Sequence, residues 1–134
     1  MPAKYYISPF CPPVFDGETS VYIDPLEYEE ALKRDWDATI VAKNLSSYTS
    51  VLSWELIEKN GLVLQGGLDS SKNVVHIDGS VEGMAVFAIW HKNLVSKNNP
   101  LYFFDDGLSA KLEINDHTQP SDLVEGVRLR RKQC

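Results

Sequence analysis

The sequence contains no apolar run that approaches the roughly 18 residues needed to span a membrane. Its opening stretch, MPAKYYISPF, lacks the basic segment and the apolar segment of a secretory signal. These two absences exclude a helical membrane protein and argue against export. We therefore expect a cytoplasmic protein with no membrane partner.

Cysteine is also scarce, since Cys11 and Cys134 are the only two. Two cysteines do not make a disulfide framework, and a reducing compartment disfavours a bridge between them, although such a bridge is an alternative. Cys11 lies in SPFCPPVF, where proline and phenylalanine would raise the pKa of its thiol rather than favour a thiolate. We expect Cys11 to be a small packing side chain, with a nucleophilic role as the alternative.

The motifs that carry chemistry are missing as well. No cluster has zinc-ligand spacing, no glycine pattern fits a nucleotide loop, and no serine sits in a nucleophile elbow. Asp105 and Asp106 are adjacent in FFDDG, so in a strand they would face opposite ways and could not share a proton. We expect no catalytic residue, no metal and no cofactor.

Positive charge is scarce over most of the chain. The formal net charge is −6, but residues 1–127 hold nine of the 13 basic residues and all 19 acidic ones, a charge of −10. A body this acidic repels nucleic acid and favours a cationic partner. Residues 128–134 form a basic tail that we expect to be flexible, and its Arg128, Arg130, Arg131 and Lys132 offer nucleic-acid contact only as an alternative.

What the sequence does contain is a clear succession of elements. Asp24 and Pro25 begin a helix through Trp36, GSVEGMAVFAIWHKNLV predicts a second helix that is apolar almost all round, and QPSDLVEG predicts a short third one. KYYI, ATIVAKN, NVVHID and, more weakly, SVYI read as strands. Two hairpins are predicted, with turns at Asn60-Gly61 and Asp106-Gly107.

This order predicts one α+β domain over residues 1–127. We expect a two-layer sandwich in which two main helices and a short C-terminal helix pack on one side of a mixed, mostly antiparallel sheet. The strand order does not follow from the sequence.

Aromatic and acidic residues crowd the first thirty positions. Aromatic side chains supply contact area and carboxylates supply steering, a combination suited to a basic protein surface. The residues that we assign to this binding surface are Tyr5, Phe10, Phe15, Tyr22, Glu29 and Glu30. They predict a non-enzymatic interaction protein, or one that self-associates as a homodimer. Small acidic α+β proteins include many inhibitors and immunity proteins, an analogy at the level of class only.

The alternative is a small-molecule binder or modest enzyme with a pocket between the sheet and the second helix. His76 and Asp78 are two apart on a predicted strand and would face the same way. Trp90 and His91 on the second helix would complete that pocket. This alternative requires at least two of these groups to converge on a deep cavity.

Overall fold

A computed structural model of the protein describes residues 3–57, 61 and 63–134. Its seven strands are β1 (Ala3–Ser8), β2 (Thr39–Lys43), β3 (Ser50–Ile57), β4 (Val63–Asp69), β5 (Val75–Gly79), β6 (Leu101–Asp105) and β7 (Lys111–Ile114). Its three helices are α1 (Pro25–Trp36), α2 (Val81–Val95) and α3 (Pro120–Arg128). None of the helices in the described ranges has the length and apolarity to cross a bilayer.

The strands form one sheet in the order β2-β3-β4-β5-β1-β6-β7. β2 to β5 are a meander, and β1 lies between β5 and β6, antiparallel to both. The predicted α+β fold of one domain is confirmed. The predicted strand in SVYI is wrong, because this extended segment pairs with no strand in the described part of the chain and instead buries Val21 and Ile23.

The helices begin at the positions that their sequences predict. The Asp24 carboxylate accepts from the Leu26 amide at 3.0 Å, and the Ser80 hydroxyl accepts from the Gly83 amide at 3.0 Å. Each side chain satisfies a backbone donor that has no partner within the first turn of a helix. α3 starts at Pro120, after a capping box between Gln119 and Asp122.

All three helices cover the same face of the sheet. Trp54 on β3 packs against Tyr28 of α1 and Phe87 of α2, with ring centroids 5.5 and 6.0 Å apart. α3 packs against α2 and β7, where Gly126 lies over Leu112. The apolar core therefore lies between the sheet and this helical layer, and alternate residues of β5 and β7 are buried in it.

No helix of the described ranges packs on the opposite face of the sheet, which we call the open face. Paired residues form a continuous row across six of its strands: Ser53, Gly67, His76, Tyr6, Phe104 and Lys111. A second row, one pleat along, consists of Thr39, Glu55, Gln65, Asp78 and Lys4. Charged and aromatic side chains thus share a surface that the helices leave uncovered.

The predicted separation of the C-terminal tail does not match its placement. Arg128 is the last residue of α3, so the expected boundary falls inside a helix. Beyond α3, the chain returns along β7: the Lys111 amide donates to the Arg131 carbonyl at 2.9 Å, and the Gln133 amide donates to the Lys111 carbonyl at 2.7 Å.

The expectation that both cysteines are free is wrong. Cys11 and Cys134 form a disulfide, with Cα atoms 6.1 Å apart. Their separation of 123 residues in sequence says nothing about distance in space. The two meet because the loop after β1 and the segment after α3 both reach the Lys111 corner of the sheet, where the Lys111 ammonium donates to the Pro12 carbonyl at 3.1 Å.

Both predicted hairpins are present. The β6–β7 turn closes with the Leu108 amide donating to the Asp105 carbonyl at 3.0 Å, and it contains Asp106 and Gly107. In the β3–β4 hairpin, Gly61 has a φ of 82°, a backbone conformation that favours glycine. Asn60, the other residue of that predicted turn, lies outside the described residues.

Candidate functional site

A cleft with a volume of about 350 Å³ lies on the open face. We call it the acid–aromatic cleft, because rings, aliphatic groups and carboxylates surround it. Its lining residues are Tyr6, Ser8, Phe15, Asp69, Val74, Phe104, Asp105, Asp106 and Leu108. They come from β1, β4 and β6 and from three connecting loops, so distant parts of the chain build the cleft.

Two stacked rings belong to the sheet side of this cleft. Tyr6 and Phe104 are paired residues of β1 and β6, with ring centroids 5.5 Å apart and an interplanar angle of 22°. Lys4 places its ammonium 5.5 Å from the Tyr6 ring centroid, a cation–π distance. The chain therefore already has a cation over one of these aromatic rings.

Phe15 also lines the cleft and is 60% exposed. It belongs to the loop between β1 and α1. The Cys11–Cys134 disulfide and the hydrogen bond from Lys111 to the Pro12 carbonyl hold that loop to the sheet. The position of this exposed ring thus depends on contacts made at the far end of the chain.

The three carboxylates of the cleft differ in what they bind. Asp105 accepts from the Ser109 hydroxyl at 2.7 Å and from the Ala110 amide at 3.1 Å, one bond to each oxygen. Burial alone would raise the pKa of Asp105, but these hydrogen bonds outweigh it and lower that pKa. Asp105 is therefore an ionised carboxylate whose two oxygens accept hydrogen bonds within the β6–β7 connection.

Asp106 and Asp69 retain more acceptor capacity. The Tyr6 hydroxyl hydrogen-bonds to Asp106, and burial together with this carboxylate raises the pKa of Tyr6 to about 12. Asp69 uses its Oδ1 for the amide and hydroxyl of Ser71. None of the five ion pairs in the described ranges includes either aspartate.

A second, polar cleft of about 250 Å³ lies beside the first on the open face. His76 and Asp78 line it together with Ser53, Glu55 and Gln65. Burial, with a smaller contribution from Lys4, lowers the pKa of His76, so its imidazole is neutral near pH 7. The prediction that His76 and Asp78 face the same way agrees with their register opposite Tyr6 and Lys4.

The structure does not bring the four residues of the predicted pocket together. His91 is a fully buried residue of α2, and its Nδ1 and the Tyr28 hydroxyl are 2.7 Å apart. Trp90 is on the same helix and donates from its indole to Asp35 at 2.8 Å. The sheet separates both residues from His76 and Asp78. The period of a helix or a strand gives the facing of its own residues but not the side of the sheet on which a helix packs.

The aromatic residues of the predicted N-terminal binding surface are also divided. Tyr5 is 4% exposed and stacks on Phe103 in the core, with ring centroids 4.7 Å apart. Phe10 is half-buried beside Gly17. Phe15 lines the acid–aromatic cleft, whereas Tyr22 lines a pocket of about 170 Å³ at the start of α1.

The two predicted glutamates lie on the helical layer. Glu29 accepts from Lys33 at 2.9 Å and from Lys43 at 3.0 Å, and these hydrogen bonds lower the pKa of its carboxyl. Its charge is therefore neutralised within the chain. Glu30 is exposed on α1, away from the open face.

Sequence reasoning missed the cleft residues Tyr6, Asp69, Phe104 and Asp106 as a group. The available signal was alternation, because Tyr6 and Phe104 each occupy the face opposite a core residue of their strand. Their meeting depends on β1 lying between β5 and β6, which is a property of strand order.

Within the described ranges, no group of three or more His, Cys, Asp or Glu side chains is placed to hold a metal ion. No protein-family model, no curated protein and no solved structure matches this chain.

Proposed function

We propose that this protein is a non-enzymatic interaction protein that binds a cationic partner protein through the open face of its sheet. The observation that carries the proposal is the acid–aromatic cleft, in which stacked rings lie beside carboxylates that no lysine or arginine of the described chain neutralises. Aromatic contact area with unpaired negative charge favours a basic surface. Self-association through this face is a less favoured reading, because two copies would oppose like charges.

The location of the binding surface differs from the one that the sequence predicted. Of the six residues assigned to it, only Phe15 lines the cleft. For the small-molecule alternative, His76 and Asp78 line the polar cleft together, whereas Trp90 and His91 do not line it. The cytoplasmic location stays a prediction, and the Cys11–Cys134 bridge argues against it, because disulfides persist mainly in oxidising compartments.

A labelled peptide that repeats Arg-Ser-Gly four times tests the proposal by fluorescence anisotropy. We expect it to bind, and we expect its affinity to fall as salt is added, because exposed charges are screened. The same peptide with Glu in place of Arg should not bind. Exchanging Glu55→Gln and Asp78→Asn together should weaken binding of the basic peptide about threefold to tenfold.

The matched control exchanges two exposed glutamates on the helical side, Glu30→Gln and Glu82→Gln, which removes the same charge. It should leave the affinity within a factor of about two. Equal loss of affinity in both double variants would mean that only net charge matters, and it would contradict a binding surface on the open face.

A further inference from the structure

We infer that the acid–aromatic cleft receives a single arginine side chain of the partner. This inference rests on the proposed function and specifies its ligand. The proposed ligand is a planar cation on an aliphatic stem, and the apolar lining and the free acceptors of the cleft support it.

The lining fits both parts of an arginine side chain. Phe15 is an accessible phenyl ring at the cleft, 60% exposed, whereas Phe104 is 5% exposed and adds only a small apolar surface. Val74 and Leu108 add aliphatic contact. A guanidinium stacks on aromatic faces, and its methylene stem packs on apolar groups.

The acceptors distinguish arginine from lysine. Asp69 ends β4 and Asp106 lies in the β6–β7 turn, and each retains oxygen lone pairs that the described chain does not use. A guanidinium has five donors in a fixed plane and can serve two separate carboxylates, whereas an ammonium is a compact and strongly hydrated charge. Loss of that hydration against phenyl rings disfavours lysine.

Two lysines near cleft residues, Lys4 beside Tyr6 and Lys111 opposite Phe104, already have partners. Lys4 lies over the Tyr6 ring, and the Lys111 ammonium donates to the Pro12 carbonyl. Neither makes an ion pair with Asp69 or Asp106 in the described part of the chain. The cleft therefore keeps net negative charge for an incoming cation.

Three short peptides test the inference on the full, oxidised chain: acetyl-Gly-Ser-Arg-Ser-Gly-amide and its counterparts with lysine or with citrulline in the arginine position. Citrulline keeps the planar shape and loses the charge. Amide chemical shifts followed by titration should show the arginine peptide perturbing the cleft residues. Citrulline should bind at least about tenfold more weakly, and lysine about threefold to fivefold more weakly.

Two cleft variants and one control complete the test. Asp106→Asn and Phe15→Ala change exposed positions, so both should fold, and each should weaken the arginine peptide about threefold to tenfold. Glu30→Gln, the same loss of charge on α1, should leave the titration unchanged. A thermal melt confirms folding of each variant.

The outcomes separate this inference from the proposed function. If the repeating basic peptide binds the open face while arginine and citrulline peptides perturb it equally, the proposed function stands and the arginine site is overturned. Equal affinity for the lysine peptide also overturns it, in favour of a general cation site. If no basic peptide binds at all, both fail.

Discussion

The helix-covered face and the open face of this sheet use the same alternation of side chains for different purposes. On the covered face, Trp54, Phe87 and Tyr28 pack into a continuous aromatic cluster. On the open face, Tyr6 and Phe104 stack in the same manner but stand beside charged groups. The comparison teaches that rings which look alike in sequence can lie in an apolar core on one face and beside carboxylates on the other.

The charges of the molecule show the same division. On the helical layer, Glu29 is held by two lysines, and Asp35 by Arg34 and the Trp90 indole. On the open face, Asp69 and Asp106 have only hydroxyl and amide partners in the described part of the chain. These two open-face carboxylates therefore lack the ion pairs that Glu29 and Asp35 have on the helical layer.

The largest effect that we predict on stability comes from the covalent bond at the open-face corner. The Cys11–Cys134 disulfide closes a loop with a sequence separation of 123, so replacing both cysteines with serine should lower the free energy of unfolding by about 2–4 kcal/mol. Urea denaturation measures this, and the parent chain with a dithiol reductant should match the double variant. An unchanged urea midpoint in both would show that packing alone holds this corner.

Substitutions at two adjacent glycines of β4 allow the closest comparison of the two faces, because Gly66 faces the core and Gly67 faces the open face. A Cβ on Gly66 would lie 2.7 Å from the Trp54 indole in the core, whereas a Cβ on Gly67 would lie 2.4 Å from the imidazole of half-buried His76. Gly66→Ala should cost about 1–3 kcal/mol, because the indole cannot move. Gly67→Ala should cost less, under about 1 kcal/mol, because His76 can rotate towards solvent.

Chemical denaturation of these two variants measures the difference directly. Equal destabilisation would mean that the open face is packed as tightly as the core, and the distinction between the faces would fail. Neither glycine belongs to a nucleotide loop: each one makes room for a ring.

On the covered face we also predict a pH dependence of stability from His91, similar in size to the effect of Gly66→Ala. Burial lowers the pKa of His91 to about 3, against 6.5 for an exposed histidine. The unfolded chain therefore takes up a proton that the folded chain does not, so stability is complete above pH 6.5 and is lost as the pH falls. Between pH 6.5 and 5 this should remove about 1.5 kcal/mol.

His91→Gln keeps a hydrogen-bonding group near Tyr28 and should remove that part of the pH dependence. Comparing the two chains cancels the contribution of His76, whose pKa burial also lowers. A parent chain and a variant with the same slope would mean that His91 is solvated and that the covered face is open to water.

The sequence predicts the helices and most of the strands of this fold because their determinants are local. Asp24 with Pro25, and Asp106 with Gly107, act within a few residues of themselves. The strand order is not local, and neither is the acid–aromatic cleft, which requires Phe15, Asp69 and Asp106 to meet through the central placement of β1. The disulfide was not predicted because the meeting of Cys11 and Cys134 also depends on contacts between distant parts of the chain.

The most direct test of the binding surface is a map of amide chemical-shift changes on adding the repeating Arg-Ser-Gly peptide. We expect the changes to concentrate on β1, β4, β5 and β6 and on the loop that carries Phe15, with the exposed surfaces of α1 and α2 unaffected. Changes confined to α1, where the sequence placed Glu29 and Glu30, would contradict the open face as the binding surface.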